Sequence, residues 1–174
     1  MSIDRGITIR ALTAADAQAY RVIRLEALHS APDAFASSFK EESVRPLETF
    51  RQRLDGSQGG FTFGAIADAS GEIVGTAGGV REDGLKTRHK LLLVGVYVQP
   101  AMRGQQLGER LIGRVLQHAR ELGDIRVVQL KVACDNHPAR ALYERMGFSV
   151  FGIERKAIRL DGRFIDEELR AIEI

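Results

Sequence analysis

Several residue types that support particular structures or chemistries are scarce in this chain. Cys134 is the only cysteine, which excludes an internal disulfide and an all-cysteine metal site. The four histidines are scattered, and no His/Cys pair has the spacing of a zinc site. No apolar run approaches the length of a membrane-spanning helix, and the first ten residues lack the apolar stretch of a signal peptide. We therefore expect a cytoplasmic protein that binds no metal and no membrane.

A large excess of charge of one sign is also missing. The 174 residues include 25 Lys and Arg and 23 Asp and Glu, a formal net charge of +2. This balance gives no reason to expect nucleic acid as the main partner. The basic runs at 81–90 and 152–159 are typical of a solvated turn and an exposed strand face. The length fits one domain over 1–174, because two smaller pieces would have marginal cores.

The first third of the chain predicts one strand and two helices. Alternation predicts a strand at 7–12, and Thr13 is a suitable N-cap for a helix through about Leu28. Residues 30–45 have turn formers without a sustained period and predict a loop, after which Pro46 opens a short helix through Leu54. The apolar stripe of the first helix is predicted at Ala15, Ala19, Val22 and Leu25, with Ile23 on its flank.

The middle of the chain predicts strands followed by one strongly amphipathic helix. Strands at 61–68 and 72–81 flank a turn and form a hairpin, and a third apolar strand at 90–99 stops at Pro100. Apolar residues recur at helical spacing over 105–122, and Gly123 can cap that helix. A strand at 126–134 follows, so the strand, helix and strand predict a parallel crossover.

The last part of the chain predicts a short helix and three strands. Asn136 is a suitable N-cap, Pro138 fits the first turn, and Gly147 can end the helix. FSVFG and ERKAIRL are predicted as strands before the turn at 161–162 and a final strand. The predicted class is α/β, one domain with a mixed central sheet of about seven strands. Its N-terminal part is antiparallel, one β-α-β crossover is parallel, and helices lie on both faces.

The segment RGQQLG, residues 103–108, has features of an anion site. It precedes a helix whose first N–H groups have no partner, and its arginine adds a fixed positive charge. A plain strand-to-helix turn with glycine is an equally good interpretation of this segment alone. It is neither a G-x-G-x-x-G dinucleotide fingerprint nor a phosphate loop ending in Gly-Lys-Ser/Thr. Likewise, Tyr143 alone favours a core tyrosine, and Asn136 alone a helix cap.

Taken together, VQPAMRGQQLG (98–108) and NHPARALYERMGF (136–148) resemble the GNAT superfamily of acyl-CoA-dependent N-acyltransferases. The second segment matches N-x-x-A-x-x-L-Y-x-x-x-G-F at every defined position. The first matches R-x-x-G-x-G/A except at the central glycine, which is Gln106 here. The resemblance covers about residues 90–150. We expect negative φ at Gln106, because an ordinary helical first turn still provides its N–H to a phosphate.

The resemblance implies that acetyl-CoA is the donor and that its acetyl group moves to a primary amine by direct attack in a ternary complex. Backbone N–H groups of 103–109 would hold the pyrophosphate. Pantetheine would lie along 95–98, where that strand splays from 126–134, and Tyr143 would be the general acid towards the sulfur. The implied cofactor contacts are Val96, Tyr97, Val98, Arg103, Gly104, Gln105, Gln106, Leu107, Gly108, Glu109, Asn136, Ala139 and Tyr143. The general base stays open among Glu41, Glu42 and His89.

The acceptor would lie between the loop after the first helix and the last hairpin. Phe35 and Phe39 are candidates for a pocket wall, Glu41 or Glu42 for holding a cationic amine, and Arg155 or Arg159 for holding a carboxylate. We expect a small-molecule amine, such as an amino acid or a polyamine. A protein amine and an acyl-CoA-binding regulatory module without transfer remain alternatives, and a homodimer is left open.

Overall fold

A mixed sheet of seven strands organises residues 6–174, the part of the chain that the computed structural model describes. The predicted domain begins at residue 1, so its first five residues lie outside this range. The order across the sheet is β1-β2-β3-β4-β5-β7-β6, and among the described strands only β4 and β5 pair in parallel. The strands are β1 (Ile7–Ala11), β2 (Gly60–Ala67), β3 (Ile73–Arg81), β4 (Lys90–Val98), β5 (Val127–Ala133), β6 (Ser149–Leu160) and β7 (Arg163–Glu173).

Helices cover both faces of this sheet, which confirms the predicted class. The helices α1 and α3 pack on one face, and α4 packs on the other. Within residues 6–174, no helix is both long enough and apolar enough to span a membrane. The helices are α1 (Ala17–Ser30), α2 (Phe39–Ser43), α3 (Leu47–Leu54), α4 (Leu107–Glu121) and α5 (His137–Arg145).

The buried face of α1 differs from the predicted stripe. Ala15, Ala19 and Val22 are exposed, and the side chains that α1 buries are Ala17, Tyr20, Ile23, Ala27 and Leu28. The Tyr20 ring packs edge-on against Phe50 of α3, with ring centroids 6.3 Å apart. The stripe prediction was wrong because it left out the tyrosine that meets α3. The face of α1 is set by this partner rather than by its small apolar residues.

The structure also differs from the sequence prediction in residues 30–45 and in the last hairpin. The predicted loop contains α2 and a short 3-10 turn, Pro32–Ala34, which we call the acceptor turn. Ser38 caps α2, because its hydroxyl accepts from the Glu41 N–H at 3.2 Å while the Glu41 carboxylate accepts from the Ser38 N–H at 3.1 Å. The two short strands predicted before 161–162 are one strand, β6, whose pairing with β7 shifts at two irregularities.

A bulge interrupts β4 at Gly95. Gly78 of β3 lies opposite Val94, whereas Thr76 lies opposite Tyr97, so β4 carries one more residue than β3 between these pairs. Gly95 has φ of 63°, a left-handed value that glycine adopts without strain. The Thr76 hydroxyl donates to the Gly95 carbonyl oxygen at 2.9 Å and holds this conformation.

The bulge changes which side chains of β4 face which helices. Before it, Leu91 and Leu93 pack in the core with α4. After it, Val96 packs there instead, and Tyr97 joins the core beneath α1 and α3. Because an extra residue inverts the alternation of a strand, the bulge directs the Tyr97 ring towards α1.

Candidate active site

A cleft opens where β4 and β5 separate. Their parallel pairing covers only Lys90–Leu92 opposite Val127–Gln129, so beyond Leu92 one edge of β4 is paired with none of the described strands. The opening between the two strands leads into a cleft of about 840 Å³. Its walls come from the acceptor turn, the end of β4, the segment 102–109 and the start of α5. A free strand edge beside an apolar cleft can bind an extended ligand through main-chain hydrogen bonds.

The N-terminus of α4 presents a row of backbone donors to this cleft. Arg110 is the first residue of the helix whose N–H is bonded, to the Gln106 carbonyl at 3.0 Å. The N–H groups of 104–109 have no acceptor among the described residues. Unpaired amides and the helix dipole together favour a bound anion at this point.

Gln106 adopts a left-handed conformation, contrary to the expectation of negative φ. Its φ and ψ are 58° and 15°, and it is the N-cap of α4 rather than a residue of the first turn. The helix starts one residue later than the expectation required, so residue 106 lies in the preceding turn. Gly104 also has positive φ, 75°. Left-handed residues within a short turn point successive N–H groups to one side and form an anion-binding concavity.

Charged side chains surround this row of donors. The Arg103 Nε donates to the Val98 carbonyl oxygen at 3.1 Å, which keeps the guanidinium beside the end of β4. Glu109, in the first turn of α4, accepts from Arg145 of α5 at 2.9 Å. The pair connects the two helices and offsets the negative charge that Glu109 would otherwise bring to an anion site.

The helix α5 forms the opposite wall. The Asn136 side chain accepts from the Ala139 N–H at 3.2 Å, so this residue is a helix cap as its sequence predicts. Tyr143 lies one turn after Ala139 and is 8% exposed, with its ring edge-on to Phe148 at 5.9 Å. No residue in the described range bonds the Tyr143 hydroxyl, and burial raises its pKa to about 12.

Most of the predicted cofactor contacts meet in this cleft. Gln105 and Tyr143 are not among its lining residues, although both are adjacent in sequence to residues that are. The predicted contacts that line the cleft are Val96, Tyr97, Val98, Arg103, Gly104, Gln106, Leu107, Gly108, Glu109, Asn136 and Ala139.

Of the predicted acceptor residues, the structure brings only Phe35 to the cleft. Glu41 caps α2, and its carboxylate accepts from the Ser38 hydroxyl at 2.8 Å. Glu42 is 2% exposed and bonds the Arg53 guanidinium through both oxygens, at 2.8 and 3.0 Å, so it cannot hold an acceptor amine. Arg155 pairs with Asp166 at 2.8 Å.

The other candidates also lie away from the cleft. His89 precedes β4, and its carbonyl oxygen accepts from the Arg126 N–H at 2.8 Å, at the end of the sheet opposite Val96–Val98. This position does not suit a general base. Phe39 is half-exposed on α2 against the His29 ring, and Arg159 lies near the Phe164 ring.

A polar network on the α1 side of the cleft was not predicted. The Tyr97 hydroxyl lies 3.0 Å from both Glu26 and Ser30 of α1. The second oxygen of Glu26 accepts from the Gln99 amide at 2.9 Å. Burial raises the Tyr97 pKa, and the nearby Glu26 carboxylate also raises it. The only sequence signal was Gly95, whose bulge turns the Tyr97 side chain towards α1.

The site fits coenzyme A on these observations. Free amides at 104–109 and the neighbouring Arg103 match a pyrophosphate, and the free edge of β4 matches the amides of pantetheine. At Gly104 an added Cβ would meet open space, so nothing in the protein fills the position beside the donors.

Comparison with known proteins gives consistent results. Residues 24–148 match the model of the Acetyltransferase (GNAT) family. The chain is 32% identical over 156 residues to the N-alpha-acetyltransferase RimI of Mycobacterium tuberculosis, covering 90% of this chain and 87% of that protein.

Two solved structures show the same architecture. A ribosomal-protein-alanine N-acetyltransferase from Brucella melitensis is 25% identical with a TM-score of 0.80, covering 96% of this chain and 99% of that one. The putative acetyltransferase yncA from Salmonella typhimurium, solved with acetyl-CoA, is 24% identical with a TM-score of 0.78, covering 96% and 93%.

Proposed function

The chain belongs to the GNAT family of acetyltransferases and uses acetyl-CoA as its donor, and on this premise we propose that it acetylates a primary amine of a small molecule. The amine attacks the thioester directly in a ternary complex, and Tyr143 is the general acid. The observation that carries the proposal is the cleft between β4 and β5, with the free amides of 104–109 at one end.

The donor half of the cleft supports binding through backbone groups. The free amides would hold the pyrophosphate, while Val96 and Val98 would bond the pantetheine from the unpaired edge of β4. A backbone N–H at this edge would also polarise the thioester carbonyl as negative charge develops on its oxygen.

Tyr143 is suited to donate a hydrogen bond to the leaving sulfur. Its hydroxyl is nearly buried and bonds none of the residues in 6–174, so it is available to a ligand that reaches past Ala139. With a pKa of about 12 it is protonated throughout the physiological range. A thiolate of pKa near ~8.5 is a weaker base than tyrosinate, so proton transfer would occur late in sulfur departure.

Cys134 supports direct attack rather than an acyl-enzyme route. It is the only cysteine in the chain and follows Ala133, which lines the cleft. Burial raises its pKa, and nearby carboxylates raise it further, so its thiol is not activated as a nucleophile. We expect that Cys134→Ser would keep turnover.

The acceptor entrance supports a small amine. Asp33 of the acceptor turn lies 3.9 Å from Arg163 at the start of β7, so the two walls of the entrance approach each other. This approach narrows the path that an extended peptide would need. The second candidate is the α-amine of a protein, favoured by the similarity to an N-alpha-acetyltransferase of Mycobacterium tuberculosis and a ribosomal-protein-alanine N-acetyltransferase of Brucella melitensis.

The first experiment is calorimetric titration of acetyl-CoA, followed by an acceptor panel of spermidine, L-methionine and an alanine-initiated peptide. We expect micromolar binding and the largest turnover with one of the two small amines. Preference for the peptide would favour the protein acceptor, and binding without turnover would favour a regulatory module. No binding up to about millimolar, less than roughly 4 kcal/mol, would contradict the donor site itself.

A further inference from the structure

Within residues 6–174, three carboxylates are buried, and their environments differ. Glu42 is bonded by Arg53, and Glu168 lies 2.7 Å from both Arg140 and Arg170. Glu167 is 8% exposed, and no described residue donates a hydrogen bond to it or forms an ion pair with it. The side chain is thus almost covered, but neither carboxylate oxygen is sealed from solvent, so both stay open to a ligand that reaches them.

Glu167 lies next to the cleft on the acceptor side. In the pairing of β5 with β7 it is directly opposite Ala133, which lines the cleft. Residues directly opposite in antiparallel strands have Cβ atoms roughly 4.5–5.5 Å apart and share a face. The acceptor turn contacts both β5 and β6, the strands on either side of β7. The carboxylate is therefore within one side-chain length of the cleft, beneath that turn.

Among the described residues, the cations near Glu167 form ion pairs with other carboxylates. Lys131 of β5 pairs with Glu154 of β6 at 2.7 Å, and Asp33 of the acceptor turn faces Arg163. Burial raises the pKa of Glu167, the Lys131 charge lowers it, and the Glu154 charge raises it, with a net increase. A raised pKa makes the carboxylate a stronger base at neutral pH.

Two other carboxylates near the cleft already have partners, and Asp135, which lines the cleft, is exposed to solvent. Both oxygens of Glu26 accept hydrogen bonds, from Tyr97 and Gln99. Glu109 is bonded by Arg145. We propose that Glu167 binds the ammonium group of the acceptor and takes one proton from it. This inference rests on the proposed acetyl transfer, since it assigns the acceptor subsite of that reaction.

The proton balance of the reaction fits this role. An acceptor enters as an ammonium and leaves as an amide, so its nitrogen loses two protons while an N–C bond forms and the C–S bond breaks. Glu167 takes the first proton, which frees the lone pair for attack, and later releases it to solvent. The second proton, lost from nitrogen as the amide forms, passes directly or through solvent to Tyr143 and restores its hydroxyl after that group has protonated the thiolate. The net reaction yields the acetylated amine, the free thiol and one proton.

The test is Glu167→Gln, which keeps the shape of the side chain and removes the charge. Wild type and variant are compared with acetyl-CoA and whichever of spermidine, L-methionine and the alanine-initiated peptide gives most turnover. At pH 7 we expect kcat/KM for the amine to fall at least 100-fold, with acetyl-CoA affinity within about twofold. As pH rises towards the amine's own pKa, the variant should approach wild type, because the amine then arrives already deprotonated.

Two further variants sharpen the result. Glu154→Gln frees Lys131 to pair with Glu167, which should lower the pKa of Glu167 and move the acid limb of kcat/KM to lower pH. Glu173→Gln, on the exposed end of the same strand, should leave both constants unchanged. Unchanged turnover in Glu167→Gln, or a loss that is equal at every pH, would overturn the inference. If wild type itself binds no acetyl-CoA or acetylates none of the three amines, the proposed function fails instead.

Discussion

The two halves of the cleft are built in different ways. The donor half uses backbone groups: the free amides of 104–109 and the unpaired edge of β4. The proposed acceptor half would use side chains from α1, the acceptor turn and β7, which are distant in the sequence and meet only in the fold. A backbone site needs a particular turn and helix start, whereas a side-chain site tolerates many residue types.

From this difference we expect the donor half to depend on backbone shape and the acceptor half to depend on individual side chains. Any chain that repeats the β4–α4 turn presents the same amides to the same phosphates. The acceptor half depends on individual carboxylates, and these have opposite roles here. Glu42 is neutralised by Arg53 and stabilises the fold, whereas Glu167 has no partner among the described residues and is the carboxylate proposed to meet the substrate.

The largest expected effect tests whether Tyr143, on the donor side, contributes chemistry. Replacing it with phenylalanine removes one hydroxyl that bonds no described residue, so the fold should be nearly unaffected. General acid catalysis is typically worth ~10²–10⁴-fold, and we expect a loss of about 100-fold or more in kcat. Steady-state kinetics, with calorimetry of acetyl-CoA binding, measures both quantities. Equal losses of turnover and affinity would assign the hydroxyl to binding alone.

Much of the donor half could be predicted from the sequence, because its signals are local. The helices and strands near these signals begin and end within a few residues of the predicted positions, which are marked by Pro100, Gly104, Gly123 and the cap Asn136. The left-handed Gln106 was not predicted, because its φ depends on the residue at which α4 begins. A one-residue difference in that start decides between the first helical turn and the turn before it.

The acceptor half could not be predicted to the same extent, because its contacts are long-range. The sequence made Glu42 a candidate for binding the acceptor. In the fold, the guanidinium of Arg53, eleven positions later, donates hydrogen bonds to both of its carboxylate oxygens. Glu26 and Glu167 carried no motif, and their places follow from the Gly95 bulge and the register of β7. The helix α2 did have a local signal, Ser38-x-x-Glu41, which the loop prediction overlooked.

A smaller effect separates the structural carboxylate of the acceptor half from the proposed reactive one. Glu42→Gln leaves Arg53 without its buried partner, and breaking such a pair costs about 3 kcal/mol. Urea unfolding should show this loss at neutral pH, with kcat little changed in the folded fraction. Glu41→Gln, its exposed neighbour, is the matched control and should cost much less.

The pH dependence of that loss has a defined sign. Burial raises the pKa of Glu42, but the Arg53 hydrogen bonds and charge outweigh it, and the net pKa is lowered. The stabilisation is therefore fully present above the usual glutamate pKa of ~4.3. It disappears as the pH falls through the lower pKa that Glu42 has in the folded protein. Wild type and Glu42→Gln should converge in stability on acidification, and a gap that persists at low pH would contradict the ion-pair explanation.

The smallest expected effect concerns Gln106, the one departure of the donor half from the family's glycine. The left-handed conformation destabilises a non-glycine residue by roughly 1–2 kcal/mol, and glycine removes this strain. Glycine also loses more backbone entropy on folding, which offsets roughly 0.5–1 kcal/mol of the gain. Gln106→Gly should therefore raise stability by between zero and about 1.5 kcal/mol, with equal or tighter acetyl-CoA binding. Gln105→Gly is the matched control, because residue 105 has no positive φ to relieve, and it should be mildly destabilising. Thermal unfolding of both variants measures stability, and calorimetry measures their affinity for acetyl-CoA. A large loss of that affinity in Gln106→Gly alone would mean that the Gln106 side chain itself holds a phosphate. In that case the donor half, too, would depend on a side chain at its centre.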